Sequence, residues 1–260
     1  MSSGAPYLPD FTAVQWAMAC VAAFGIGVSK SGLPGISLLH VLIFAWLFPG
    51  VASTGVVLPM LVAGDVGAII LFRRHASWAH IAKTIPPAMA GVLVGCGVLR
   101  WLPDAHFQPV IGAIILVLAA MQLVRSWKPE AFTRLPHSHG FALSVGFAAG
   151  VTTMIANAAG PVMGVYLVAV GLPKEVFVGT SAWFFLLINL FKVPFSAHMG
   201  LINAKSLLFN CTLIPCIVAG LFAGRWIVSK LPQRLFDSLV LAFAILVAFR
   251  LLLTNLFTHG

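Results

Sequence analysis

Gly27-Val28-Ser29-Lys30-Ser31-Gly32-Leu33-Pro34-Gly35 is the stretch on which the reading of this chain turns. Its nine residues hold two hydroxyls, one cation, three glycines and a proline. Apolar sequence flanks it on both sides, from Phe11 to Val28 before it and from Ile36 to Phe48 after it. A soluble core does not explain the flanks, and an unbroken membrane helix does not explain the interior. A lysine at the centre of a membrane helix costs roughly 2.5–3.5 kcal/mol on insertion scales, so it needs a partner or a function. The stretch reads as a polar break inside a membrane segment. The plainer alternative is a first helix that ends early and lets Lys30 snorkel to an interface.

Composition supports the membrane setting. Of the 260 residues, 60% are hydrophobic and 8% charged, against roughly 25% charged in an average soluble domain. Apolar runs of near-spanning length recur from end to end and do not alternate, so the expected class is all-α and polytopic rather than a β-barrel. No polar stretch is long enough to bury a core of its own. The formal charge of +9 is read as loop lysines and arginines that set orientation, not as a nucleic-acid surface. Cys20, Cys96, Cys211 and Cys216 lie in apolar segments without metal or redox spacing and read as small packing residues. No signal peptide is evident. His137-Ser138-His139 has no further metal ligands near it in sequence, so neither metal nor cofactor is expected.

About ten segments follow in order. The first half holds Phe11–Val28, a short Ile36–Phe48, Val51–Phe72, Ile81–Leu99 and Phe107–Val124. After the polar connection Arg125–His139, the second half holds Gly140–Ile155, a short Val162–Val170, Val176–Phe195, Leu207–Val228 and Leu235–Phe257. A shift of 129 residues pairs Pro86, Gly91, Gly95, Leu102, Pro103 and Phe107 with Pro215, Gly220, Gly224, Leu231, Pro232 and Phe236. A shift of 124 pairs Pro49 with Pro173 and sets Asp65 opposite Asn189. The expected organisation is a first membrane repeat over residues 1–127, a cytoplasmic linker over 128–139 and a second repeat over 140–260.

Ten loop cations, among them Arg73, Arg74, Arg125, Lys128, Arg225 and Arg234, fall on one side if each half contributes five segments. The positive-inside rule makes that side cytoplasmic and puts both termini outside. An odd number of segments inverts the second half relative to the first, as in many secondary transporters. The opening pair of each half is either two spans or a re-entrant hairpin.

Inversion sends the Ser29–Gly32 break and a second break, Asn157-Ala158-Ala159-Gly160-Pro161, toward the midplane from opposite faces. Helices starting at Gly35 and at Pro161 would aim unpaired N–H groups at the breaks, where an anion binds. The candidate substrate-binding residues are Ser29, Lys30, Ser31, Gly32 and Gly35 in the first half, and Thr152, Thr153, Asn157, Gly160 and Pro161 in the second. Asp65 is the one acidic residue deep in an apolar run; it can pair with Lys30, carry a coupling proton or line a water path. Asn189 reads as structural, Lys192 as a lysine near the outer end of its segment that can snorkel, and His40 as a satisfied core histidine ahead of a ligand. Ser53, Thr54, Thr180 and Ser181 read first as helix glue.

Gly25 through Gly35 resembles the first-repeat motif of the sulfite exporter TauE/SafE family, and Gly146-Phe147-Ala148-Ala149-Gly150 through Ala159-Gly160-Pro161 is similar to its second-repeat motif. The resemblance runs from about Phe11 to Leu253. It implies a bacterial inner-membrane permease for sulfite, thiosulfate or organosulfonates such as sulfoacetate. The expected partners are a small anion, the lipid bilayer and a possible second copy of the chain, with no nucleic acid. Export by alternating access, coupled to protons or to the membrane potential, is the expected action. The alternatives are an uncoupled anion channel and an intramembrane enzyme. The second break departs from the first in carrying Asn157 and no lysine.

Overall fold

The computed structural model describes residues 11–31, 36–48, 50–72, 76–127 and 138–230. These residues form α1 (Ala13–Lys30), α2 (Ser37–Leu47), α3 (Ala52–Phe72), α4 (Trp78–Trp101), α5 (Asp104–Trp127), α6 (His139–Ala156), α7 (Ala159–Ala169), α8 (Lys174–His198) and α9 (Ala204–Lys230), with no strand among the described residues. Among them α1, α3, α4, α6, α8 and α9 are long and apolar enough to cross a membrane. The 11-residue helices α2 and α7 reach only about 16 Å at 1.5 Å per residue, half of a hydrocarbon core. The expected last segment, Leu235–Phe257, and most of the linker lie outside the described residues.

Local signals explain where the helices begin and end. Thr12 caps α1 in a capping box with Gln15. Ser138 caps α6. Asn157 ends α6 in the left-handed region at φ 52°, a conformation asparagine tolerates better than most residues. α1 runs further than the apolar pattern suggests, through Ser29 and Lys30 to a cap at Ser31. The Ser31 hydroxyl lies 3.0 Å from the Gly27 carbonyl and 2.8 Å from the Leu221 carbonyl of α9. It thereby fastens the end of α1 to a helix of the other half.

The halves interlock by exchanging partners. α1 packs along α9 and α6 packs along α4, and glycines make both approaches possible. A Cβ on Gly27 would collide with the backbone of Ile217, Gly220 and Leu221, and one on Gly220 with the carbonyl of Phe24. At the other crossing, a Cβ on Gly150 would collide with the backbone of Ala88, and one on Gly91 with the carbonyl of Phe147. Adding 123 to Phe24, Gly27, Val28 and Ser31 lands on Phe147, Gly150, Val151 and Met154, which meet Gly91 and Gly95 as the first set meets Gly220 and Gly224. Small residues at such crossings let helix backbones approach in lipid, where apolar burial alone drives little association. Gly91→Ala and Gly220→Ala are each expected to lower stability by about 1–3 kcal/mol, because backbone atoms cannot rotate away. Gly97 has nothing within 4 Å of an added Cβ, so Gly97→Ala should be neutral or stabilising. Melting temperatures of the three purified variants in one detergent check both statements.

α3 and α8 pack at the centre and run antiparallel. Gly55, near the start of α3, lies against Leu201, just past the end of α8. Asp65 meets Asn189 midway. The Ser77 N–H, just past α3, donates to the Thr180 hydroxyl near the start of α8 at 2.9 Å. Outside this interior the surface is apolar, as at Ile70, Val117 and Trp101, which suits lipid tails.

Candidate functional site

A cavity lies where both breaks meet the central helix pair. Ser29 and Lys30 from the end of α1 and Ser37 and His40 from the start of α2 line one side. Thr153, Asn157, Ala159 and Gly160 from the α6–α7 junction line another, and α8 closes it with Ser181, Phe185 and Asn189. It offers about 40 Å³ to the centres of water-sized molecules. One water needs roughly 10–15 Å³ on that measure, so the space suits a few waters or one small polyatomic anion. Neither α2 nor α7 has a side-chain cap among the described residues. Their first-turn residues Ser37, Ala159 and Gly160 border the cavity, at helix N-termini whose dipoles favour negative charge.

A chain of polar contacts runs behind this wall. Lys30 Nζ lies 2.6 Å from Asp65 Oδ1 and 4.6 Å from the centre of the Phe185 ring, an added cation–π contact. The lysine stem passes over Gly64, whose missing side chain leaves room for it. Asp65 is fully buried, and its Oδ2 accepts from Asn189 Nδ2 at 2.7 Å. Lys192, 2% exposed, donates to the Thr153 carbonyl at 2.7 Å and to Asn157 Oδ1 at 2.6 Å, with Thr153 Oγ1 at 3.1 Å and Asn189 Oδ1 at 3.5 Å. Asn157 Nδ2 donates to the Thr54 carbonyl at 2.9 Å. The chain thus ties α1, α3, α8 and the α6–α7 junction together. With every group ionised, Lys30 and Lys192 set two positive charges against the one carboxylate of Asp65.

Residues 19–251 match the family described as sulfite exporter TauE/SafE. The chain belongs to this family. No curated protein and no solved structure matches the chain significantly. TauE/SafE membership, together with the apolar helices, makes the chain a multi-pass membrane protein of a transporter family.

In this TauE/SafE chain the structure sorts the sequence candidates by position. Ser29, Lys30, Thr153, Asn157 and Gly160 line the cavity, and Asp65 sits behind Lys30 as its ion-pair partner. Ser31 and Thr152 face elsewhere: the Thr152 hydroxyl donates to the Ala148 carbonyl at 2.8 Å, one turn back in its own helix. Pro161 is buried in the first turn of α7. Gly32 and Gly35 lie outside the described residues.

Two sequence readings are corrected. Lys192 does not snorkel, because its ammonium reaches three close acceptors in the interior. Helical side chains lean toward the N-terminus, and Lys192 therefore folds back over Asn189, three residues earlier. It supplies the second break with the cation that the break's own sequence lacks. His40 is not a satisfied core histidine: it is 1% exposed, and neither ring nitrogen has a hydrogen-bond partner among the described residues. The spacing of Lys192 from Asn189, the mate of Asp65, was the signal that could have found the lysine.

Proposed function

We propose that this permease carries a small sulfur oxyanion or organosulfonate, of the sulfite, thiosulfate or sulfoacetate type, across a bacterial inner membrane. The observation that carries the reading is the cavity itself. The N-termini of two short helices converge there on Lys30, and with every group ionised the network behind it carries one positive charge more than it has carboxylates. A bound anion offsets that positive charge, which matters where water is scarce.

Alternating access about the cavity is the proposed action, with two inverted five-segment repeats as the moving parts. The antiparallel course of α3 and α8, the exchange of partners between α1–α9 and α6–α4, and the equivalent glycine crossings support that organisation. In this orientation the ten loop cations face the cytoplasm and both termini face outward. Export then has a driving force in the membrane potential, worth about 2.3 kcal/mol per charge per 100 mV. Asp65 is the candidate proton carrier if flux is also coupled to pH.

The test is uptake of radiolabelled sulfite, thiosulfate and methanesulfonate into proteoliposomes, with chloride as comparison. Saturable flux of at least one sulfur anion is the expected result, together with counterflow driven by the same anion on the opposite face. Non-saturating flux without counterflow assigns a channel instead, and flux of none of the three removes the reading.

A further inference from the structure

We propose that His40 is a ligand-contacting residue of the cavity, one whose imidazole hydrogen-bonds a small oxyanion held between Lys30 and the first turns of α2 and α7. The inference rests on the anion-permease reading above and deepens it. His40 stands three residues after Ser37 on α2, so the two share a helix face, and both line the cavity. The ring is buried and both of its nitrogens lack a partner among the described residues. Buried polar side chains are nearly always hydrogen-bonded, so an unpaired imidazole facing a cavity points to a partner that the chain does not supply.

The chemistry of the wall says what that partner is. Lys30 only donates, and the N-terminal turns of α2 and α7 bring the positive ends of their dipoles to the cavity, so the wall favours an acceptor that carries negative charge. A neutral imidazole adds one more N–H without adding a third buried cation, and its other nitrogen accepts. An oxygen-rich anion supplies several acceptors in fixed directions, and a protonated one also supplies an O–H for the second nitrogen. The tetrahedral or pyramidal oxyanions meet this description; a halide has no such directed oxygens.

The experiment compares wild type, His40→Leu and His40→Gln as full-length protein in nanodiscs and proteoliposomes. It measures the melting temperature alone, its shift with added sulfite and methanesulfonate, and radiolabelled flux of both anions. His40→Leu is expected to melt at or above wild type, because it removes an unpaired buried polar group. It should lose the ligand-induced shift and reduce flux about tenfold or more, as for one lost hydrogen bond to a charged group. His40→Gln should recover part of both, since its amide keeps a donor and an acceptor. Wild-type shift and flux in His40→Leu overturn the proposal. If the leucine variant does not fold, the glutamine variant decides: a changed sulfite-to-methanesulfonate ratio supports the contact, and an unchanged ratio overturns it. Wild type that carries neither anion overturns the permease reading and this inference with it, whereas the leucine result overturns the histidine alone.

Discussion

Lys30→Met is expected to abolish transport and to lower stability by about 3–5 kcal/mol, the usual cost of removing one partner of a buried ion pair. The stability loss comes from Asp65, which is fully buried and would keep only the Asn189 amide as a partner. The transport loss has a separate origin, because Lys30 also lines the cavity. The double variant Lys30→Met with Asp65→Asn distinguishes the two. It leaves no uncompensated charge at this position, so the melting temperature should return most of the way to that of wild type. Flux should remain absent, since the cation at the cavity wall is still missing. Flux near the wild-type level in the double variant removes Lys30 from the substrate path and leaves the pair a purely structural bond. Asp65→Asn alone keeps the cation and removes the carboxylate. It should retain flux but lose the dependence on pH, and an unchanged pH profile removes Asp65 as the proton carrier.

How much of this was legible depended on whether the signal lay along the chain or across it. The Lys30 break was visible because a cation and three glycines interrupt an apolar run, and Asp65 because no other acid lies deep in one. Asn189 was found opposite Asp65 by counting 124 residues, and the structure joins the two by a hydrogen bond. Ser29 and Ser31 sit in one polar tip, yet α1 continues helical through Ser29 and Lys30 and is capped at Ser31. Residues two apart on a helix do not face the same way, so Ser29 meets the cavity while Ser31 meets Leu221. Where the helix ended decided their roles, and that end depends on a hydroxyl bonded across to α9, a contact invisible in a local pattern. His40 was hidden for a different reason. Composition and spacing do not reveal whether a buried histidine has found partners; only the packing around it does. The glycine crossings were half legible: Gly91 and Gly220 stood out as a repeat, but their partners Gly150 and Gly27 repeat at 123 rather than 129, so no one shift covers both helices of a crossing.

Lys192→Met is the second large effect expected. Its balance differs from that of Lys30, because Lys192 bonds neutral acceptors and not a carboxylate. Removing it leaves Asn157 Oδ1 and Thr153 short of a donor, at about 1–3 kcal/mol, but also removes a cation whose burial is costly. The net change in melting temperature should therefore be small. Flux should fall roughly 10- to 100-fold, because with every group ionised the network drops from one unmatched positive charge to none and the attraction for an anion weakens by about 1–3 kcal/mol in a poorly solvated site. Wild-type flux in this variant would take Lys192 out of the transport machinery. If flux does fall, two origins are open: lost charge, or a loosened Asn157, which holds its left-handed turn while bonded to both Lys192 and Thr54. Combining Lys192→Met with Asp65→Asn separates them. That pair restores the single unmatched charge through Lys30 but leaves Asn157 without its lysine. Recovered flux assigns Lys192 to the electrostatics of anion binding, and continued loss assigns it to holding the second break in place.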